Sequence, residues 1–295
     1  SVVAGTGTRG FTGDNGPATS AQLNSPGGVA IDGSGNVYIA DSDNHRIRRV
    51  TPDGRITTVA GTGADGRAGD GGPAINAQLG YPFRLSFDSM GNLFVLDAAV
   101  SWLQQVVIRR VSSAGIITTL ADGPNKDLHY LSTDNAGNVY FVPAAYVSQN
   151  SQVHKRSATG VWSVVAGTGT PGFSGDDHPA TSAQLNHPEA VAVDSSGAVY
   201  IADTQNSRVR KVLPNGMVMT IAGTGQESPA PSEGIAANTC KRTYAQTGRD
   251  ERGVKEAALL GDPENPGLKQ GKRRSSTLHR LILRSHPKGE RQSQA

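Results

Sequence analysis

A polar motif, Asp-x-x-Asn-x-Arg, occurs twice in the sequence, and its side chains could bind a ligand. The two copies are Asp41, Asn44 and Arg46, and Asp203, Asn206 and Arg208. A carboxylate, an amide and a guanidinium placed together suit a sugar or a peptide terminus. In the architectural alternative, which we favour, Asp holds the amides of a turn and pairs with Arg, and Asn tolerates a left-handed turn position. His45 has Ser207 at its place in the other copy, so any role for it is local.

In two further segments that resemble these copies, the polar motif is absent and an aromatic residue is present instead. Trp102 lies in the segment Ala98–Gln105, and Tyr146 follows Pro143 closely. Aromatic rings on long loops could form a stacking platform for a glycan or a peptide. Packing or sequence drift explains them equally well. The candidate ligand-binding residues are therefore the two polar motifs, His45, Trp102 and Tyr146.

A glycine-rich acidic segment occurs three times, as Gly13-Asp-Asn-Gly-Pro17, Gly69-Asp-Gly-Gly-Pro73 and Gly175-Asp-Asp-His-Pro179. Calcium takes six to eight oxygen ligands, usually from several carboxylates in one loop. Each copy offers only one or two carboxylates. We therefore favour a structural role, in which the segment shapes a turn and the leucine after it (Leu23, Leu79 or Leu185) fills a gap between neighbouring units.

The sequence predicts no catalytic residue, no metal site and no cofactor. The histidines before residue 225 are His45, His129, His154, His178 and His187. A catalytic zinc site needs three converging ligands, and of these histidines only His129 falls near an expected inner strand. No Gly-x-Ser-x-Gly or phosphate-binding loop is present.

All these residues belong to a repeated pattern with complete copies at Pro26–Gly63 and Pro188–Gly225 and diverged copies at about 82–123 and 127–169. Each copy has four short runs rich in Val, Ile, Thr and Tyr, a composition typical of β-strands. In the first copy the runs are Gly28–Asp32, Val37–Asp41, Arg46–Val50 and Ile56–Gly61. Turn residues such as Asp32-Gly-Ser-Gly-Asn36 separate the runs and indicate hairpins.

Four antiparallel strands in each unit, repeated at about fifty residues, predict an all-β fold of β-propeller type. A solenoid is the alternative, but the known solenoid repeats are shorter or contain helices. In such blades the connection between the second and third strands and the connection between blades share one face. We expect the long segments, 6–25, 62–81 and 167–187, to lie on this loop-rich face and to make it the binding face.

The blade motif resembles the NHL repeat. The resemblance rests on the triplet Asn44-His45-Arg46, on Val37–Asp41 and Val199–Asp203, and on the Ala-Gly-Thr-Gly endings. It extends from Ser1 to about Gly225, and the long inserts are similar to those of secreted bacterial repeat proteins and teneurin propellers. It implies a secreted, periplasmic or cell-surface location. Propellers of this family commonly have six blades, so four recognisable blades plus an orphan strand at Ser1–Ala4 suggest an incomplete arc.

The composition changes after Gly225. Residues 1–225 contain 15 Lys and Arg against 17 Asp and Glu, a net charge of −2, and residues 226–295 contain 13 against 8, a net charge of +5. Such a charged tail, which also contains the single cysteine Cys240, is expected to be disordered or to be a frame-shift product. A basic arm for acidic surfaces, around Lys272–Arg274, is the alternative.

Together these observations predict a non-catalytic binding or scaffold module that presents its loop-rich face to a carbohydrate, a peptide or a protein. The alternatives are a metal-dependent lyase or hydrolase, in which His129 would be a ligand, and a purely structural spacer. We expect no nucleic-acid partner and no membrane-spanning segment, since no apolar run is long enough. The sequence does not predict the oligomeric state.

Overall fold

The computed structural model describes residues 1–98, 106–120, 128–143 and 151–225, together with the strands at 244–249 and 255–260. Within these residues the fold is all-β. Four antiparallel sheets of four strands follow one another along the chain and are arranged as the blades of a propeller. This confirms the fold predicted from the repeats.

The strands of each blade run in sequence order from the inner to the outer edge. Blade one contains β1 (Pro26–Ile31), β2 (Val37–Asp41), β3 (Arg46–Val50) and β4 (Ile56–Ala60). Blade two contains β5 (Tyr81–Phe87), β6 (Leu93–Ala98), β7 (Val107–Val111) and β8 (Ile117–Leu120). Blade three contains β9 (Leu128–Thr133), β10 (Val139–Pro143), β11 (Ser151–Arg156) and β12 (Trp162–Gly169). A short strand, β13 (His178–Pro179), pairs with the outer strand of blade four, which contains β14 (Pro188–Val193), β15 (Val199–Asp203), β16 (Arg208–Val212) and β17 (Met217–Ala222).

Short 3-10 helices supplement the strands. Three of them lie in the segments between blades, at Ala18–Ser20, Ala74–Asn76 and Ala180–Ser182, and two lie between the second and third strands, at Ser42–Asn44 and Thr204–Asn206. Beyond blade four, β18 (Tyr244–Arg249) and β19 (Lys255–Leu260) pair with each other and lie against β14. The rest of the tail lies outside the described residues, so the expectations about residues 226–295 stay predictions.

The predicted hairpin turn after β1 is held by Asp32. Its Oδ1 accepts hydrogen bonds from the backbone N–H groups of Ser34 and Asn36, both at 2.9 Å, and its Oδ2 accepts one from Asn36 Nδ2 at 2.7 Å. Partial burial opposes ionisation of Asp32, but hydrogen bonds from Asn36 and Ser34 outweigh it and lower its pKa. Asp88 and Asp134 hold the equivalent turns in the next two blades.

The core consists of apolar side chains pressed between neighbouring blades. Between blades one and two, the rings of Tyr38 and Phe87 meet edge to face with centroids 4.7 Å apart. Val95 and Ile117 are fully buried in the same cluster. This packing of sheet against sheet is what makes the blades one domain, because each sheet alone would expose its apolar faces.

Ser1–Ala4, predicted as an orphan strand, is not a strand in this structure. None of the described strands pairs with it, and a strand needs a hydrogen-bonding neighbour. Ala4 instead packs against the cluster formed by Ile39, Val50 and Ile56 of blade one.

The segments 5–25, 61–80 and 167–187, here called inserts, follow a different path from the one predicted. The middle of the first insert runs antiparallel along the outer strand β4 and reaches the turn at Gly54, where the N–H of Ala18 donates to the Gly54 carbonyl at 2.8 Å. That turn and the loop between β2 and β3 lie at opposite ends of β3. The prediction that each insert lies wholly on the loop-rich face is therefore wrong. The insert follows the outer strand because the free N–H and C=O groups of an edge need partners.

The second and third inserts begin at a glycine, Gly61 or Gly167, whose conformation and surroundings both exclude a side chain. Gly61 has φ of 92°, and a Cβ there would lie 2.2 Å from the carbonyl oxygen of His45. Gly54 is the matched control, since its φ is 82° but a Cβ would meet nothing within 4 Å. We expect Gly54→Ala to lower the free energy of unfolding by about 1 kcal/mol, from backbone strain alone. We expect Gly61→Ala to lower it by about 3 kcal/mol or more, because the backbone must also move. Chemical denaturation of the two full-length variants measures both losses. Equal losses of unfolding free energy would contradict the close contact that the structure shows at Gly61.

Candidate functional site

A fully buried arginine lies on the third strand of blades one, two and four. The three residues are Arg48, Arg109 and Arg210. Arg48 pairs with Asp14 of the first insert, with Nη2 2.8 Å from Oδ1, and with Asp41 at the end of β2, with Nη1 3.2 Å from Oδ2. It also donates to the carbonyl oxygens of Thr12 and Gln22. One guanidinium thus fastens the insert to its blade.

The same arrangement recurs in the other two blades. Arg109 lies 2.9 Å from Asp70 and 3.6 Å from Asp97, and Arg210 lies 2.9 Å from Asp176 and 3.4 Å from Asp203. The aspartate of each glycine-rich acidic segment is therefore committed to an arginine. This geometry supports the structural interpretation of the segment over the calcium interpretation, because an occupied carboxylate cannot join the oxygen-rich shell that calcium requires. Of the leucines that follow, Leu79 and Leu185 are fully buried between blades as expected. Leu23 is only partly buried and packs against the cluster of blade one, so for it the expectation is wrong.

The aspartates of the Asp-x-x-Asn-x-Arg motif are buried and occupied. Asp41 accepts hydrogen bonds from the backbone N–H of Asn24 at 2.7 Å and from Asn44 Nδ2 at 2.8 Å, besides its pair with Arg48. Asn44 Nδ2 also donates to the carbonyl of Gly10 in the insert. In blade four the same contacts join Asp203 to Asn186, Asn206 and Arg210, and Asn206 to Gly172.

The expectation that the arginine of this motif pairs with its aspartate is wrong. The partner of Asp41 is Arg48, whereas Arg46 donates to the carbonyl oxygens of Asn44 at 2.9 Å and Thr62 at 2.6 Å. Both arginines lie on β3, two residues apart: Arg46 begins the strand opposite Asp41, whereas Arg48 lies opposite Ile39, where its guanidinium reaches Thr12 of the insert. Arg208 makes the equivalent bonds to Asn206 and Thr224.

The guanidinium groups of Arg46 and Arg208 each lie against an exposed phenylalanine ring. The Arg46 Cζ lies 3.8 Å from the ring centroid of Phe11, and the Arg208 Cζ lies 3.7 Å from that of Phe173. Gly63 and Gly225 cover the opposite sides of the two guanidinium groups, where a Cβ would clash. Phe11 and Phe173 are nevertheless 39% and 42% exposed. We call these pairs the Phe–Arg stacks; they lie at the end of each blade that carries the connection between the second and third strands.

Sequence reasoning missed the phenylalanines, although a signal was present. Both occur three residues before the insert aspartate, in Phe11-Thr-Gly-Asp14 and Phe173-Ser-Gly-Asp176, while the second insert has Arg67 at that place. The predicted aromatic residues Trp102 and Tyr146 lie outside the described residues, so their part in a binding face stays a prediction.

His45 occupies a strained turn position. Its φ is 54°, in the left-handed region, as is that of its counterpart Ser207 at 48°. The Nδ1–H of the His45 ring donates to the carbonyl oxygen of Gly80, the last residue of the second insert. This contact joins blade one to the start of blade two. Ser207 has no ring to make such a contact, which agrees with the expected local role of His45.

Among the residues that the structure describes, blade three has no ion pair equivalent to those of Arg48, Arg109 and Arg210. His154 is paired with Phe141 in the ladder, as Arg48 is with Ile39, and Pro143 stands at the place of Asp41. His154 is stacked on Phe141 with ring centroids 5.4 Å apart, and burial lowers its pKa. Only seven residues, 121–127, separate β8 from β9, against the twenty, 61–80, between β4 and β5. In this blade His154 replaces the arginine, Pro143 replaces the aspartate of β2, and the preceding segment is much shorter than the three inserts. These differences occur together, as expected if the parts form one structural unit.

Within the described residues, no group of three or more His, Cys, Asp or Glu side chains is placed to hold a metal ion. His129 lies on the inner strand β9 as expected, but the structure does not describe its side chain. In the same part of the chain, no helix is long and apolar enough to cross a membrane.

Comparisons with known proteins agree with the repeat motifs. The model of the teneurin NHL domain matches residues 121–239, and that of the NHL repeat matches residues 23–50. Teneurin-1 of Mus musculus is 30% identical over 256 residues, covering 72% of this chain and 9% of that protein. The chloroplastic protein SUPPRESSOR OF QUENCHING 1 of Arabidopsis thaliana is 27% identical over 244 residues, covering 76% of this chain and 23% of that protein.

Among solved structures, an auxiliary nutrient binding protein from Bacteroides ovatus superposes with a TM-score of 0.54 at 14% identity, covering 82% of this chain and 61% of that one. At this identity the likeness shows the fold alone. The chain spans about a tenth of the length of the teneurins it matches. Its repeated blades, its sequence motifs and the matching family models agree, and the chain belongs to the NHL-repeat family.

Proposed function

We propose that this chain is a non-catalytic binding module, which recognises a partner through the loop-rich face of its propeller. The observation that carries the proposal is the pair of Phe–Arg stacks. An exposed apolar ring is costly in water, and here it is held rigidly over a guanidinium whose own hydrogen bonds are made inside the blade. Such rings are ready to bury apolar surface of a partner with little loss of conformational entropy.

The stacks favour a peptide or a protein over a carbohydrate. Sugar recognition requires free polar groups around an aromatic platform. The guanidinium groups of Arg46 and Arg48 lie against the Phe11 ring, and both already have partners. Arg46 donates to carbonyl oxygens, and Arg48 pairs with two aspartates. Aromatic and arginine side chains are also the types enriched in protein interfaces. A glycan remains the alternative ligand, to be separated by experiment.

The resemblance to teneurins supports a secreted or cell-surface location for the module, which we propose with the binding function. A metal-dependent lyase or hydrolase is less well supported, since the described residues offer no metal-binding group. A purely structural spacer would leave the two rings without a partner.

The test begins by screening the full chain against peptide and glycan arrays. For the best peptide ligand, Phe11→Ala with Phe173→Ala should weaken binding by at least about tenfold, because each ring supplies on the order of 1–3 kcal/mol of buried contact. Ile75→Ala is the matched control, since Ile75 is 44% exposed on an insert but lies on the 3-10 helix away from the stacks. Its binding should equal that of the unaltered chain.

Two outcomes would contradict the proposal. The absence of any ligand on either array would favour the spacer. A ligand whose affinity is unchanged in the double variant would place binding elsewhere on the molecule. Because both rings are exposed, circular dichroism and the unfolding midpoint should be nearly unchanged, which separates loss of binding from loss of fold.

A further inference from the structure

The outer edge of blade three differs from the outer edges of the other blades. In blade one, the N–H of Asn15 donates to the Ile56 carbonyl at 2.7 Å, and the N–H of Ile56 donates to the Gly16 carbonyl at 3.0 Å. Equivalent bonds reach Ile117 in blade two and Val218 in blade four. No segment among the described residues makes such bonds to β12.

The register of β12 shows which of its backbone groups face outward. Trp162 of β12 is paired with Arg156, and Ile56 of β4 is paired in the same way with Val50. The backbone N–H and C=O of Trp162 are therefore equivalent to those of Ile56, which the first insert contacts in blade one. Val164 is paired with His154 as Thr119 is with Arg109. The N–H of Thr119 donates outward to Asp70 Oδ2 at 2.8 Å, so the N–H of Val164 also faces away from the sheet.

The exposed side chains of this strand are uncharged, and the nearby guanidinium of Arg156 lies over the Trp162 ring, 5.8 Å from its centroid. Val161 is 65% exposed, Val164 is 37% exposed and Ser163 is exposed as well. Behind them, the rings of Phe141 and Trp162 meet edge to face with centroids 5.3 Å apart. Among the residues that the structure describes, nothing covers this row of backbone donors and acceptors and its apolar rim. Edges of this kind are ordinarily covered or protected by charge.

We propose that β12 binds an extended, uncharged peptide segment of a partner protein by antiparallel strand addition. The three inserts show what such a segment is like, because each covers the same edge of its own blade. Each insert is antiparallel to the outer strand there, and a small residue after its proline (Ala18, Ala74 or Ala180) is buried against the sheet. This edge lies on the outer rim of the propeller, apart from the Phe–Arg stacks, so the inference does not depend on the proposed function.

The buried side chain of His154 also determines which charge the bound peptide segment can have. The insert aspartates are compensated by Arg48, Arg109 and Arg210. Blade three has His154 at that place, and burial lowers the pKa of this histidine and so favours its neutral form. A carboxylate at the place of Asp14 would face this histidine instead of an arginine. The guanidinium of Arg156, which is nearby, lies over the Trp162 ring and donates to the Ser157 carbonyl oxygen.

The test uses the full chain labelled with ¹⁵N and the synthetic peptide Gly-Ala-Asn-Gly-Pro-Ala-Thr-Ser, which copies residues 13–20 with Ala in place of Asp14. Titration should give saturable shifts of the amide signals of Trp162 and Val164. The parent peptide, with Asp retained, should bind at least about tenfold more weakly. Val164→Pro removes one outward N–H without breaking a bond of the blade, and should weaken binding by about tenfold.

Val164→Lys provides a second variant in case the proline change disturbs the fold, and should weaken binding through the charge it adds to the edge. Val29→Lys is its matched control, because Val29 is also an exposed valine, at 65%, but lies on the inner strand of blade one. This variant should bind as the unaltered chain does. The proposal is overturned if saturating peptide moves no β12 amide, or if neither Val164 variant weakens binding. It is also overturned if the chain dimerises without peptide and Val164→Lys abolishes the dimer, since a second copy would then be the occupant.

Discussion

Arg48→Met is expected to lower the free energy of unfolding by about 3–5 kcal/mol, which would be among the largest effects of any single substitution in this chain. Methionine can fill much of the volume, but it leaves the buried carboxylate of Asp41 without a cation. It also removes the bonds that hold Asp14, Thr12 and Gln22 of the insert. Chemical denaturation of the full chain, followed by far-ultraviolet circular dichroism, measures the loss.

Arg55→Met is the matched control for this prediction. Arg55 lies in the same blade and faces Asp53, but its side chain is 66% exposed, and exposed ion pairs contribute about 0–1 kcal/mol. The double variant Arg48→Met with Asp41→Asn should be less destabilised than the sum of the two single variants, because the unpaired charge is then gone. A loss under about 1 kcal/mol for Arg48→Met would show that the buried pairs are not needed to hold the insert.

The second large effect concerns Asp97 in blade two and depends on pH. Burial raises the pKa of Asp97 from 3.8 to about 7, although the N–H of Gly80 and the charge of Arg109 act in the opposite direction. The distance of 3.6 Å to Arg109 is too long for a hydrogen bond, so the cation compensates this carboxylate only in part. The folded chain therefore binds the Asp97 proton more tightly than the unfolded chain does.

The sign of the pH effect follows from this difference. A raised pKa stabilises the fold fully below the unfolded value near pH 4, and this stabilisation is lost as the pH rises to about 7. Relative to Asp97→Asn, which does not titrate, the unaltered chain should lose up to about 4 kcal/mol between pH 4 and pH 8. Denaturation curves of the two full-length proteins at several pH values measure this difference.

Asp194→Asn is a control of opposite sign. Partial burial opposes ionisation of Asp194, but hydrogen bonds from Ser196, Ala198 and Tyr200 lower its pKa. Relative to this variant, the unaltered chain should gain stability as the pH rises towards 4 and show no further change above about pH 5. A flat difference between the unaltered chain and Asp97→Asn from pH 4 to pH 8 would show that Asp97 stays ionised in the fold.

The strands and turns of this fold could be predicted because local residues determine them. The turn at Asp32 requires only a carboxylate, a glycine and an asparagine within five positions, and each blade repeats a version of it. Likewise, the short runs Val37–Asp41 and Arg46–Val50, which contain Val, Ile and Tyr and are bounded by turn residues, are sufficient to indicate paired strands. Repetition made the prediction stronger, because the same pattern in several blades indicates architecture rather than a single site.

The candidate site was harder to predict because its contacts join residues that are distant in sequence. Asp14 and Arg48 are thirty-four positions apart, and nothing local distinguishes Arg48 from Arg46 as the partner of Asp41. The path of the insert depends on which edge of the next blade is free, and this is a property of the assembled sheets. The Phe–Arg stacks depend on that path as well, so Phe11 could not be placed beside Arg46 before the insert was located.

The central claim is that the repeated arginine of blades one, two and four holds the insert of the same blade in place. Native-state hydrogen exchange of the full chain tests it most directly, by comparing the unaltered protein with Arg48→Met. The amides of Asn24 and Ile56, which bond to Asp41 and to Gly16, should exchange at least about a hundredfold faster in the variant. The amide of Asn186, which bonds to Asp203 in blade four, should keep its protection. Unchanged exchange at Asn24 and Ile56 would contradict the claim.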